Sequence, residues 1–146
     1  MTIKVKWLIE NHVMLSQFSE MIDSEQIIRY LDKSMAMRDE ANEANGKNGV
    51  LIHTITDTNG VTRQNLDLKT LRQIMKSLRQ QRVGWSLQVS TNAMDRFMSS
   101  MAHQFGGIRY QSFTTMDEAI DFLRKNEVLL EGMLHKGLDF SFPDDV

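Results

Sequence analysis

The chain has 146 residues and a formal net charge of −2, with 41% hydrophobic and 25% charged residues. This length and composition are typical of one soluble globular domain with a sizeable core. The near-neutral charge excludes a global basic field for nucleic acid, and the absence of cysteine excludes disulfides, thiolate nucleophiles and cysteine metal sites. No apolar run is long enough to predict membrane insertion, so we expect a cytoplasmic protein.

Hydrophobic periodicity predicts two strands and a helix at the start of the chain. Residues 3–9 alternate apolar and polar side chains and residues 13–22 form a second strand-like run, which together predict an antiparallel hairpin. Asp23 and Gln26 have the spacing of a capping box, so a helix is expected to begin there. The polar run 39–49 predicts the loop that follows this helix.

Strands and helices alternate along the rest of the chain. The predicted elements are strands at 50–56, 83–90 and 108–113, and helices over about 67–81, from Thr91 or Asn92 to Phe105, and after the capping pair Thr115 and Glu118. The order β-β-α-β-α-β-α-β-α favours right-handed crossovers between parallel strands. The predicted fold is therefore α/β, with a mixed, mostly parallel five-stranded sheet and four helices.

This pattern also predicts how the domain is organised. Residues 1–126 account for every predicted strand and helix and are expected to form a single domain. Residues 127–146 form a C-terminal extension rich in Leu, Met and Phe. We expect this extension to pack on the domain or on a second subunit, or otherwise to be disordered.

Two stretches have a recognisable order of residue types. The stretch 106-GGIRYQSFTTMDEAIDFL-123 contains glycine, a short strand, a Thr cap and an acidic helix, and 57-DTNGV-61 follows the predicted central strand. Both resemble STAS domains, the anti-sigma-factor-antagonist fold, and especially the small SpoIIAA-like (STAS/Sec14-like) bacterial proteins, in which the second stretch is a turn. The resemblance covers about residues 3–125 and implies the same fold and a regulatory role.

The phosphorylated serine of STAS regulators has no counterpart here. In that family it lies in a second turn, which corresponds to Asn65–Leu68 in this chain. A phosphoserine would add a charge of about −2 at the positive N-terminus of a helix. Asp67 places one negative charge there permanently, either as an ordinary N-cap or as a fixed phosphoserine mimic.

Two groups of residues are candidate binding sites. Asp57 and Asn59 follow a predicted strand at the edge of the sheet where open α/β folds bind ligands, although the same residues are common in plain turns. The second group is a row of cations on one face of helix 67–81, namely Lys69, Arg72, Lys76 and Arg79. This row suits an acidic protein, a phosphate-bearing ligand or a membrane surface, or is simply solvated.

No motif predicts catalysis. The sequence has no nucleophile elbow, phosphate-binding glycine loop, dinucleotide fingerprint or histidine metal motif, so we expect no enzyme, cofactor or metal. The first hypothesis is a STAS-like module that acts through a protein partner and could form a homodimer, without binding nucleic acid. The alternative is a Sec14-like carrier or sensor of a small apolar or phosphate-bearing ligand, with a pocket lined by some of the 11 methionines.

Overall fold

The computed structural model describes residues 3–45, 51–65 (63–65 by their backbone), 67–70, 72–73, 76, 83–92, 107, 109–127, 130–134 and 138–142. They form the strands β1 (Ile3–Ile9), β2 (Val13–Asp23), β3 (Ile52–Asn65), β4 (Val83–Val89) and β5 (Tyr110–Phe113), and the helices α1 (Ser24–Ala44) and α2 (Met116–Asn126). Residues 68–70, 72–73 and 76 are also helical, within the predicted helix 67–81. Beyond its predicted cap, Thr91 or Asn92, the helix predicted to end at Phe105 lies outside the described residues.

One sheet contains all five described strands, in the order β1-β2-β3-β4-β5. β1 pairs antiparallel with β2, and every other neighbouring pair is parallel. This confirms the predicted mixed α/β class and the five-stranded sheet. Since each parallel strand lies next to its predecessor, the chain crosses the sheet steadily from β2 to β5.

The turn predicted at 57–61 is wrong, because β3 continues to Asn65. β2, predicted over 13–22, ends at Asp23 and pairs with this second half of β3, from Ser19 opposite Gly60 to Asp23 opposite Asn65. The pairing register shifts twice along this stretch, which places two bulges in β3. The motif that suggested a turn therefore shapes a bulge within a strand.

The predicted capping residues begin both complete helices. At α1 the Gln26 N–H donates to Asp23 Oδ1 over 2.9 Å, and the Asp23 N–H donates to Gln26 Oε1 over 3.1 Å. At α2 the Glu118 N–H donates to Thr115 Oγ1 over 3.2 Å. α1 continues to Ala44, so the loop predicted from residue 39 begins later than expected.

The two faces of the sheet differ in chemistry. On one face, aliphatic side chains pack against α2 and against residues beyond it, forming the cluster Val13, Leu15, Ile55, Leu87, Val89, Ala119, Ile120, Leu123, Leu130 and Leu134. Leu138, Phe140 and Phe142 pack on the same cluster. α1 covers the opposite face, where a smaller apolar cluster of Ile22, Ile27 and Leu31 lies near the helix start.

Candidate functional site

The first predicted site, formed by Asp57 and Asn59, lies beside the end of β4. Asp57 is part of β3, where it pairs with Gln17 and Val89, and its Oδ1 accepts a 2.9 Å hydrogen bond from the Asn59 N–H. Asn59 Oδ1 accepts from the Thr91 N–H at 2.8 Å and from Thr91 Oγ1 at 3.2 Å. These contacts fasten the β3 bulge to the residues that follow β4.

Asp67 has the geometry of a helix N-cap. Its Oδ1 accepts a hydrogen bond of 2.7 Å from the Thr70 N–H, three residues on. Hydrogen bonds from the Thr70 side chain and backbone, together with the nearby charge of Lys69, hold the pKa of this exposed carboxyl below its usual value. The Asp67 N–H donates to Ser24 Oγ over 3.4 Å, so this helical segment begins beside the start of α1.

The cations predicted to share a helix face are exposed wherever the structure describes them. We call Leu68, Lys69, Arg72 and Lys76 the cationic segment, and its backbone is helical at each of these residues. Leu68 is 63% exposed and lies next to Lys69, which gives this surface an apolar side chain among its charges. Arg79 lies outside the described residues.

The α1-covered face of the sheet carries a polar surface that the sequence interpretation missed. Strand pairing aligns Ser16, Thr56, Gln88 and Ser112 in one row across β2, β3, β4 and β5. The next row contains Met14, Thr54, Ser86 and Tyr110. Parallel strands covered on both sides are normally aliphatic on both faces. We call this surface the polar face.

Three threonines run along β3 at the centre of the polar face. Thr54, Thr56 and Thr58 form what we call the threonine ladder; Thr54 is 7% exposed and the other two are half-buried. Tyr110 donates from its hydroxyl to Gln88 Oε1 over 2.5 Å, and Gln88 Nε2 donates to Thr58 Oγ1 over 3.1 Å. A directed chain of hydrogen bonds therefore runs from β5 through β4 to the ladder.

Arg38 of α1 brings a positive charge to the ladder, although it is only 3% exposed. Its Nη2 donates to Thr54 Oγ1 over 3.2 Å and its Nη1 donates to Ser34 Oγ over 3.4 Å. Burial lowers the pKa of the guanidinium by removing water from its charged form, and the nearby Tyr30 and Asp39 act in the opposite direction. Arginine starts from so high a pKa that this side chain stays cationic at neutral pH.

The sequence does contain a signal for the polar face. The segment 54-TITDT-58 places threonine at every second position, and Ser86 and Gln88 repeat the alternation in β4. Our sequence-based prediction assigns both segments only to strands of a parallel sheet. Because a buried parallel strand should be apolar on both sides, alternation in two such strands indicates a polar layer.

His53 is a buried histidine on the apolar side of the sheet, 4% exposed. Its Nδ1 accepts a 2.9 Å hydrogen bond from the Trp85 N–H, and its Nε2 lies 4.0 Å from Glu127 Oε1. Burial lowers its pKa to about 4, with smaller contributions from the charges of Arg109 and His12. A neutral imidazole in this position ties β4 to β3. Among the described residues no three His, Asp or Glu side chains cluster as metal ligands.

The strand order and the flanking helices define a SpoIIAA-like fold, and comparison with solved structures supports this class. The chain is similar to the crystal structure of an uncharacterised protein of the DUF3478 family with a SpoIIAA-like fold from Shewanella loihica. The TM-score is 0.55 at 13% identity, over 83% of this chain and 91% of the other. No family model and no curated protein matches the chain.

The likeness confirms the fold that the sequence resemblance implied, and at this identity it concerns the fold alone. Within the part of the chain that the structure describes, no helix is both long enough and apolar enough to cross a membrane.

Proposed function

We propose that this protein is a non-enzymatic, STAS-like regulatory module that acts in the cytoplasm by binding an acidic protein partner through the cationic segment. The observation that carries this proposal is the exposure of Lys69, Arg72 and Lys76 on helical backbone, beside the 63% exposed Leu68. Cations steer an acidic partner and set orientation, while an apolar side chain supplies surface that is buried on contact.

Asp67 fits this proposal as the residue that positions the cationic segment. Its carboxylate caps the segment, and its backbone N–H contacts Ser24 at the start of α1. Since no serine occupies the position of the family's phosphorylation switch, we propose that partner binding is constitutive. The fixed charge of Asp67 then stands where a switchable charge would be.

Charge reversal tests the partner proposal. The variant Arg72→Glu/Lys76→Glu is compared with wild type and with the control Lys33→Glu/Lys125→Glu, which reverses two exposed cations on α1 and α2. Each protein is cross-linked in a host extract and its partners are quantified by mass spectrometry. We expect one partner that the wild type and control retain, the test variant loses, and raised salt weakens. Equal capture by all three proteins contradicts the proposal.

A second candidate function is a sensor or carrier of a small phosphate-bearing ligand. The polar face favours it, because hydroxyls and a guanidinium suit an anion. The apolar version of this function has less support, because α2, Leu130 and Leu134 already pack on the aliphatic face. Native mass spectrometry of protein purified from its host would report a copurified ligand and the number of subunits, which also tests homodimer formation.

A further inference from the structure

We propose that the threonine ladder, together with Arg38, binds the phosphate group of a small metabolite. This inference rests on the second candidate function and assigns its site. It concerns the polar face alone and is independent of the cationic segment. Three properties of the polar face support this site: the hydroxyl protons of the ladder, the charge of Arg38 and access from the carboxyl end of the sheet.

The hydroxyl protons of the ladder are directed by their neighbours. Thr54 Oγ1 accepts from Arg38 Nη2, and Thr58 Oγ1 accepts from Gln88 Nε2. A threonine hydroxyl has one proton to donate in addition to its acceptor lone pairs. Because both oxygens accept from nitrogen donors, each of these hydroxyl groups can use its own proton as a donor. The ladder therefore offers O–H donors and suits a ligand made of acceptors.

The spacing of the ladder fits a tetrahedral oxyanion. Alternate residues of a strand are roughly 6.6–6.8 Å apart, so a phosphate between Thr54 and Thr56, the ladder members nearest Arg38, can accept from both hydroxyls at ordinary hydrogen-bond lengths. A phosphate carries more acceptor oxygens than a carboxylate, which matches a site where donors come from alternate positions of one strand. The positive charge of Arg38, held in surroundings of low polarity, attracts the anion more strongly than it would in water.

Access comes from the carboxyl end of the sheet. Along β3 the side chains change from buried at Thr54 to half-buried at Thr56 and Thr58, as β4 approaches its end at Val89. Parallel sheets commonly bind ligands at this end of their strands. Thr54 and Thr56 also lie on a central strand and pair with β2 on one side and β4 on the other, which keeps the site rigid.

Isosteric substitutions separate binding from packing. Thr54→Val and Thr56→Val remove one hydroxyl each while keeping a β-branched side chain. Thr62→Val is the matched control, because Thr62 is an exposed residue of the same strand. Each protein is titrated with inorganic phosphate at constant ionic strength and followed by amide chemical shifts. We expect saturable shifts in β3 and β4 for the wild type and control, and affinity about tenfold weaker in each test variant.

Two results would overturn the site. Phosphate binding at wild-type affinity in both test variants removes the ladder as the site and leaves the ligand-sensing function in place. If the wild type shows no saturable binding of phosphate, that result contradicts both the ladder site and the ligand-sensing function. If Thr54→Val does not fold, Thr56→Val decides, because Thr56 is half-buried and its loss disturbs packing less. None of these results bears on the partner proposed for the cationic segment.

Discussion

Gly84 of β4 lies directly against the imidazole of His53 on β3. A Cβ atom added to Gly84 would lie 2.3 Å from His53 Nδ1 and 2.5 Å from Cε1, closer than any unstrained contact. The next residue, Trp85, donates its N–H to the same Nδ1. A histidine on the inside of the sheet thus requires a residue without a side chain beside it, and β4 provides one.

Gly84→Ala should therefore destabilise the fold. The added methyl group must displace a buried ring whose Nδ1 is already hydrogen-bonded, and such overpacking costs about 1–3 kcal/mol. Gly132→Ala is the control, since a Cβ there meets nothing within 4 Å. Urea unfolding at neutral pH measures both free energies of unfolding. A loss at Gly132 as large as that at Gly84 would contradict the steric explanation.

His53 should make stability depend on acid pH. Its pKa falls from 6.5 to about 4 on folding, so between these values the unfolded chain binds a proton that the folded chain does not. The stability that the neutral imidazole contributes is fully present above the pKa of the unfolded chain and is lost as the pH falls toward the pKa of the folded chain. The difference corresponds to about 3 kcal/mol across this window.

The variant His53→Gln isolates this contribution. Glutamine does not titrate, and its side-chain oxygen can accept from the Trp85 N–H. We expect this variant to be less stable at neutral pH but to lose less stability between pH 6.5 and about 4. Urea midpoints measured across that range provide the comparison. Parallel curves for the two proteins would show that other groups dominate the acid response.

Removing the first helix cap should weaken the protein by a predictable amount. Asp23→Ala deletes the acceptor of the Gln26 N–H at the start of α1, and losing such a cap costs about 1 kcal/mol. Asp32→Ala is the control on the same helix, where the side chain is exposed and alanine has the better helix propensity. Thermal unfolding monitored by circular dichroism should show a lower midpoint for the first variant only.

Lys6 should hold the C-terminal residues on β1. Its Nζ donates to the Asp139 carbonyl over 2.8 Å and also to the Ser141 carbonyl, and it lies 5.3 Å from the centre of the Phe142 ring. Lys6→Met keeps the aliphatic stem and removes these contacts. We expect faster hydrogen exchange across residues 138–142, by roughly fivefold for a loss of about 1 kcal/mol. Lys4→Met, two residues earlier in β1, should leave this exchange unchanged.

Local signals in the sequence predicted much of the fold. The capping pairs Asp23–Gln26 and Thr115–Glu118 lie where expected, because a cap involves residues only three apart. The strand β4 (Val83–Val89) likewise lies within the strand predicted at 83–90. The turn expected at 57–61 failed because the length of β3 depends on distant pairing with β2. Nothing in five consecutive residues reveals that partner.

The candidate sites show the same difference between local and long-range signals. Asp67 was identified from residues beside it in sequence, and its carboxylate does accept from the Thr70 N–H. The polar face needs the register that aligns Ser16, Thr56 and Gln88, which are far apart in the chain. The sequence predicts Arg38 only as part of a helix, and the packing of α1 on β3 shows that its side chain reaches Thr54.

The polar face also affects how stability varies with temperature. Exposing apolar surface on unfolding raises the heat capacity, whereas exposing polar surface lowers it. This sheet buries hydroxyls and an amide where most parallel sheets bury a second aliphatic layer. Its unfolding heat capacity should therefore be smaller than that of a domain of equal size with two aliphatic faces. The resulting stability curve is flatter, and the protein loses stability more gradually on either side of its optimum temperature.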